Sequence, residues 1–320
     1  MLLIAGLSAL PLIIRNPYYL HLTSMVFVNA ILGMGFAMIY STGLITLGAS
    51  AFWGVGAYTS TLLVMKLGWS SWLAMPAAAI IAGIFAFLCG SLVVRYAGVG
   101  FVVFTLLMCF VIERVFAYVK VFGGWGGIIG IPPPDSIPLP FNQAVEFSSK
   151  IPFYYLSLLL LTITVICFYG FYSSRIGRAW RAVKLDPALA ESIGVHLYGY
   201  RLTAFIVASV FAGLAGSFYA HFSMIINPET FGILKSIYIQ IYAILGGLEY
   251  YILGPIAGSI IFTLLPQFLQ ISPEIEPYVT GCVLILIVIF LPDGLAGLVQ
   301  RVLQVMSRLR AASKEKQPNS

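Results

Sequence analysis

Few residues in this chain are equipped for chemistry, and their spacing excludes most of it. His21, His196 and His221 stand far apart, with no nucleophile motif beside them. Cys89, Cys109, Cys167 and Cys282 each lie inside an apolar run, without a C-x-x-C pair or a histidine at ligand spacing. They read as small core residues rather than a disulfide framework or a metal site. No G-x-x-x-x-G-K-[ST] phosphate loop occurs, which excludes ATP hydrolysis by that route. The expectation is a protein that is not an enzyme, holds no metal or cofactor of its own and binds no nucleic acid.

Charge is what remains. Residues 173–201, SSRIGRAWRAVKLDPALAESIGVHLYGYR, gather Arg175, Arg178, Arg181, Lys184 and Arg201 between two long apolar runs. Glu113 and Arg114 lie inside another apolar run, and neither has an opposite charge at i±3 or i±4. At ~1.5 Å per residue they sit roughly 10 Å below the helix end at Lys120, close enough for Arg114 to reach outward. Such a pair reads either as a tie between helices or as lining of a solute path. Tyr58, Glu113, Tyr242 and Glu249 are the candidate path residues, as polar groups beside apolar walls.

The elements that must position these groups follow from composition. The chain has 320 residues, 60% apolar and 9% charged, against about 25% charged in soluble domains. Spans need roughly 20 mostly apolar residues, and such runs recur along nearly the whole length. The fold class is an all-α polytopic membrane protein of about ten spans, including short or broken helices. The spans are expected near 1–14, 18–40, 46–65, 72–94, 99–120, 152–173, 200–222, 232–248, 252–271 and 277–298. The first lacks a charged n-region and a clear cleavage site, so it reads as a span rather than a signal peptide.

In this scheme Arg95, the basic residues of 175–201 and those after residue 300 share one side, whereas Arg15, Lys66, Lys120, Lys150 and Lys235 fall on the other. Basic residues collect in the cytoplasm, which places both termini there. A membrane domain is expected over 1–298, with a cytoplasmic segment at 175–201, an external loop at 123–150 and a cytoplasmic tail over 299–320. The loop contains GGWGGIIG and IPPPDSIPLP, whose Gly and Pro break helices, and it is expected to fold back over the helix ends.

Ala204, Ala208, Ala212, Gly216 and Ala220 recur every four residues, a stripe suited to close helix packing in lipid. Gly254 and Gly258 in GPIAG have the same small spacing. Within the charged stretch, Asp186 is a good N-cap, Pro187 suits the first helical position and Gly194 suits the position after a helix end. A short cytoplasmic helix at about 187–193 follows, with Leu189, Ala190 and Ile193 as its apolar contacts. Arg175, Arg178, Arg181 and Lys184 before it suit anchoring to anionic membrane lipid, and the capped helix suits docking into a partner's cleft.

RIGRAWRAVKLDPALAESIGV resembles the cytoplasmic coupling segment of ABC importer permeases through Gly177, Arg178, Ala179, Arg181, Ala182, Ala190 and Gly194. LITLGASAFWGVGAY, FTLLMCFVIER, GGWGGIIGIPPP, AFIVASVFAGLAGSFYA, NPETF, LGGLEYYILGPIAG and LPDGLAGL are similar, in order, to the M-type permease of branched-chain amino acid importers, over roughly residues 20–300. The chain departs from that family at Leu248, Glu249, Tyr250 and Tyr251, where small residues are usual, and at KLDP.

The resemblance implies the ABC importer permease fold in a prokaryotic plasma (inner) membrane, paired with a second homologous permease. Two cytoplasmic ATPase subunits would use ATP and Mg, and an extracytoplasmic binding protein would deliver the solute. It implies coupling roles for Gly177, Arg178, Arg181, Asp186, Pro187, Ala190 and Gly194. The implied substrates are branched-chain or other small apolar amino acids, with urea and short amides as an alternative within the family. An ion-coupled carrier or channel working without ATPases is the alternative outside it.

Overall fold

The computed structural model describes residues 16–139, 143–145, 147 and 149–268, with residues 11, 278, 279, 281, 282, 285, 294 and 297 standing alone. The expected spans at 1–14 and 277–298 therefore lie outside the described residues except at those isolated positions, and the tail 299–320 lies wholly outside them. Ten described helices follow in order: α1 (Pro17–Tyr40), α2 (Ala49–Leu67), α3 (Ser71–Val93), α4 (Val99–Tyr118), α5 (Lys150–Ser173), α6 (Arg175–Leu185), α7 (Pro187–Ser192), α8 (Leu197–Ser223), α9 (Ile233–Gly246) and α10 (Leu253–Phe268). Of these, α1, α3, α4, α5 and α8 are long and apolar enough to cross a membrane, and α9 and α10 are shorter apolar helices.

Helix α1 starts where Asn16 Oδ1 accepts the Tyr18 N–H at 3.0 Å and Pro17 takes the first turn. From Val26 to Ile39 every residue is buried, so this helix is the centre of the fold, enclosed by α5, α8, α9 and α10. A helix apolar all round has no surface to give to water. Helix α8 packs against α1, α2 and α3. The small-residue stripe makes that possible: a Cβ on Gly216 would lie 1.9 Å from the Trp53 carbonyl oxygen, and one on Gly56 would lie 2.0 Å from that of Gly213. Gly258 brings α10 equally close to α9, at 1.9 Å from the Tyr242 oxygen, and Gly254 lies against Gly247.

The connections alternate between two ends. At one end Gly43 lies against Lys184, and the Arg95 guanidinium sits 5.7 Å from the Tyr198 ring centre. At the other, the segment 119–149 folds back over the helix ends. Its strand β1 (Ile128–Ile129) pairs antiparallel with β4 (Ile225–Ile226), and β2 (Ile137–Leu139) pairs with β3 (Gln143–Val145). Gly127, at φ +71°, would bring a Cβ within 2.0 Å of the Ile226 oxygen, so only glycine fits there. Asp135 caps α3 from this segment, accepting from Ser70 Oγ at 2.6 Å and the Ser71 N–H at 3.0 Å. His221 ties the segment to the bundle. The Pro132 carbonyl only accepts, so Nδ1 donates to it at 2.8 Å and Nε2 accepts from Ser60 Oγ at 2.8 Å.

Two sequence expectations need correction. The sequence predicts that Arg175, Arg178, Arg181 and Lys184 prolong the sixth span, but the helix breaks at Ser174 and α6 begins anew. Ser174 Oγ caps it by accepting the Ile176 N–H at 3.1 Å, and Gly177 lets the bend close, since a Cβ there would lie 2.5 Å from the Tyr172 oxygen. The span predicted to reach residue 248 stops at Gly246, because Gly247 adopts φ +107°.

Candidate functional site

Two regions of the fold hold the residues with functional chemistry; α9 lines the first, and the turn after it reaches the second. The first is a cavity of about 580 Å³ between α1, α9 and α10, with Trp53 of α2, Tyr219 of α8 and the turn at Glu229 completing its wall. Apolar surface comes from Leu22, Met25, Leu234 and Phe262, and rings from Trp53, Tyr219, Tyr238 and Tyr242. Helix α9 presents Lys235, Tyr238 and Tyr242 to it at i, i+3 and i+7, the spacing of one helical face.

A polar row crosses this cavity. Lys235 Nζ donates to Asn29 Oδ1 at 3.0 Å and to Tyr242 OH at 3.3 Å, and Asn29 Nδ2 donates to Thr263 Oγ1 at 3.0 Å. The same ammonium lies 5.2 Å from the Trp53 ring centre and 5.6 Å from that of Tyr242, within reach of cation–π attraction. Behind it, α9 is pinned to α2 and α4 by a buried knot. Ser50 Oγ contacts Ser236 Oγ at 2.6 Å and Cys109 Sγ at 3.1 Å and donates to the Gly232 carbonyl at 3.0 Å.

Of the four candidate path residues, Tyr242 lines the cavity. Tyr58 is buried in an aromatic cluster, its ring 4.1 Å from that of Phe116 and edge-on to Phe122 and Phe231. Glu113 lies against Gly232, outside the cavity wall, and Arg114 extends over the rings of Phe110 and Trp125 at 4.8 and 5.0 Å. Glu249 lies in the turn beyond the far end of α9, away from this cavity, and pairs with Lys184 Nζ at 3.0 Å. Sequence reasoning missed Lys235 and Asn29 as cavity residues. The signal was present, because Lys235 heads an amphipathic apolar helix and an intramembrane lysine marks a site or a path.

The second region is the bend, α6 and α7. Arg178 Nη1 donates to the Ser173 carbonyl at 3.5 Å and Arg181 Nη1 to that of Tyr172 at 3.3 Å, so these two arginines satisfy the last carbonyls of α5. Trp180 is fully buried, and its Nε1 donates to the Tyr200 carbonyl at 2.9 Å, fixing α6 to α8. Asp186 Oδ1 accepts the Leu189 N–H at 3.0 Å and Pro187 opens α7. Ala190 is buried, and Gly194 ends the turn at φ +86°.

Of the three apolar residues expected on this helix, Ala190 packs inward and Leu189 and Ile193 are left exposed. Leu185 at the end of α6 and Leu189 and Ile193 on α7 and its cap are 85%, 62% and 70% exposed, and the spacing of four along α7 puts Leu189 and Ile193 on one bare apolar face. Lys184 joins this region to the turn after α9. Its ammonium pairs with Glu249 and lies 4.3 Å from the Tyr40 ring centre. Burial works against that charge, but the Glu249 hydrogen bond and the neighbouring Tyr251, Tyr40 and Glu249 outweigh it and hold the ammonium above the ordinary lysine range.

Comparison with known proteins matches residues 18–288 to the family described as branched-chain amino acid transport system / permease component. The high-affinity branched-chain amino acid transport system permease protein LivM of Salmonella typhimurium is 26% identical over 305 residues, 89% of this chain and 72% of that protein. LivH of the same organism is 26% identical over 84% of this chain and 91% of its own length. The guanosine ABC transporter permease protein NupQ of Bacillus subtilis is 23% identical over 56% of this chain and 59% of its own. No solved structure gives a significant match. With most of its length covered by one family model, and with the multi-pass helical bundle that such a subunit requires, this chain belongs to the branched-chain amino acid transport system permease family.

Proposed function

We propose that this chain is one of two homologous membrane subunits of an importer for leucine, isoleucine, valine or similar small apolar amino acids. Two cytoplasmic ATPases drive it, and the ATP and magnesium chemistry belongs to them. An extracytoplasmic binding protein delivers the solute over the end where the 119–149 segment lies. The bend and both termini face the cytoplasm of a prokaryotic inner membrane, in keeping with the arginines around α6.

One observation carries the reading: a capped helix, α7, whose apolar Leu189 and the following Ile193 are exposed. Lipid anchoring accounts for the arginines, but it leaves Leu185, Leu189 and Ile193 facing water. A cleft on an ATPase covers them. Closure of the ATPases then pushes α7 and α6 as a unit, since Trp180 is locked to α8 and Lys184 to Glu249. Asp186, Pro187, Ala190 and Gly194 shape the docking helix, whereas Gly177, Arg178 and Arg181 hold the bend that presents it.

Purification in mild detergent, followed by an assay of ATP hydrolysis, tests this. A homologous permease and two P-loop ATPases should accompany the chain, with hydrolysis stimulated by the loaded binding protein. A lone, stable chain without ATPases would refute the reading. A second substrate class has one observation in its favour, the aromatic lining of the cavity, Trp53, Tyr219, Tyr238 and Tyr242 among it, which suits stacking on a nucleobase. Competition of leucine uptake by guanosine distinguishes the two.

A further inference from the structure

We infer that a groove on the membrane side of the bend holds one anionic phospholipid of the cytoplasmic leaflet, with its phosphate on Arg178 and Arg181 and an acyl chain along α5. The inference goes beyond the importer reading and takes from it only the side of the membrane on which the bend lies. The polarity of the groove, its position and the size of its lining residues carry it.

The groove has a volume of about 690 Å³ and runs between the last turns of α5 and the turn that leads into α10. Val165, Ile166, Tyr169 and Tyr172 line it from α5, a helix long and apolar enough to cross a membrane, and Tyr251 and Leu253 line it from the other side. Ile166, Tyr169 and Leu253 are exposed, as side chains that face hydrocarbon are. At ~1.5 Å per residue the stretch 165–172 covers about 10 Å, so the groove reaches from the hydrocarbon to the helix end at Ser173. Tyrosines gather at that end, where amphipathic rings sit at headgroup depth. Tyr172 and Tyr251 stack with ring centres 4.9 Å apart and give the groove a flat floor.

Cations border the same end. Arg181 Nη1 reaches the Tyr172 carbonyl at 3.3 Å, and Lys184 Nζ lies 5.6 Å from the Tyr251 ring centre. Lys184 is paired with Glu249, whereas among the described residues Arg178 and Arg181 hydrogen-bond only to backbone carbonyls. A guanidinium has five N–H donors, and one carbonyl leaves most of them for a phosphate, which accepts in pairs. Both arginines are exposed, so a headgroup can reach them. Apolar at one end, aromatic in the middle and cationic at the other, the groove follows the polarity of an anionic phospholipid.

A helix of a second membrane subunit fits less well. Helices that meet in lipid use small residues for close approach, and among the described residues no glycine, alanine, serine or threonine lines this groove. Branched and aromatic walls that hold a second backbone at a distance leave room for a flexible chain.

The test places p-benzoylphenylalanine, which bonds to nearby C–H groups under ultraviolet light, at Ile166 in the groove. The control position is Ile84, exposed midway along α3, a helix without a charged residue. The full chain, with whatever subunits accompany it, is reconstituted in vesicles of equal parts phosphatidylglycerol and phosphatidylethanolamine, and the adducts are identified by mass. At position 166 phosphatidylglycerol adducts should exceed phosphatidylethanolamine adducts by about fivefold or more, the effect of one basic residue near an anionic surface. At position 84 the two should be equal. Arg181→Gln should lower the ratio at 166 by about the same factor, and Arg181→Lys should keep most of it.

The two ratios on the chain with Arg181 intact stand by themselves if Arg181→Gln fails to assemble. Equal amounts of the two lipids at position 166, the same enrichment at both positions, or a peptide of another subunit bonded at 166 would each overturn the site. The readout needs no ATP, solute or binding protein, and both leaflets contain both lipids. Failure of the importer reading therefore shows separately, as absence of ATPases from the same preparation.

Discussion

Replacing Gly216 by alanine adds one methyl group where none fits. The new Cβ would lie 1.9 Å from the Trp53 oxygen and 2.9 Å from the Ala57 nitrogen, both backbone atoms of α2. Carbon and oxygen ordinarily approach no closer than ~3.3 Å, so α2 and α8 must part by about 1.4 Å near the middle of their contact. A gap of about 0.5–1 Å already forfeits a quarter to a half of each dispersion contact it opens. The cost is put at about 3 kcal/mol, the upper end of the overpacking range.

Two other glycines calibrate this. A Cβ on Gly33 would meet the Pro255 and Tyr242 Cβ atoms at 3.2 and 3.3 Å, and one on Gly170 meets nothing within 4 Å. Alanine at 33 should be near neutral, and alanine at 170 should gain up to about 1 kcal/mol from helix propensity. The assay is thermal loss of the monodisperse peak in mild detergent. Gly216→Ala should melt well below the parent, with Gly33→Ala close to it and Gly170→Ala at or above it. Because Trp53 also lines the cavity, Gly216→Ala should weaken solute uptake in whatever fraction folds. Equal melting of the 216 and 170 variants would refute the direct contact between the α2 and α8 backbones.

Charge reversal of either Lys184 or Glu249 should lower solute-stimulated ATP hydrolysis a few-fold, in line with the ~0.5–1 kcal/mol of a partly exposed pair, and the double reversal should recover part of it. The Lys184 ammonium is held above its ordinary range, so on the alkaline side the stability this charge contributes is kept up to the ordinary lysine value, about 10, and is lost as pH rises through the folded one. Asp186→Ala removes the α7 cap at a cost of about 1 kcal/mol and should reduce coupling, whereas Asp186→Asn should preserve it. Gly194→Pro should uncouple ATP hydrolysis from uptake while the chain still reaches the membrane, because proline requires φ near −65° and Gly194 sits at +86°. Normal coupled uptake by that variant would count against docking through α7.

The fold was legible wherever a single property decided it. Apolar runs mark α1, α3, α4, α5 and α8 to within a few residues, because lipid demands about the same helix from every sequence. The capped helix α7 was legible too, since Asp186, Pro187 and Gly194 each act locally. What sequence could not supply was which faces meet. Tyr58 and Tyr242 have the same side chain, yet one is sealed among phenylalanines and the other lines a cavity, a distinction made by helices remote in sequence. The pairing of Glu249 was illegible for the same reason. Its partner Lys184 lies on a helix whose position depends on the bend at Ser174, and that bend is set by a serine cap and one close glycine contact. Lys235 served only as a marker of sidedness until α1 brought Asn29 beside it, itself held by Thr263 of α10.

The central claim is that this chain moves solute only when separate ATPases push on α6 and α7. The most direct measurement is uptake of labelled leucine into vesicles carrying the assembled complex, loaded with ATP in one set and ADP in the other, with the binding protein outside. Uptake confined to the ATP-loaded vesicles, and absent when this chain is reconstituted alone, is the predicted result. Equal uptake with ADP, or by the lone chain, would contradict it and make the protein an ion-coupled carrier or a channel.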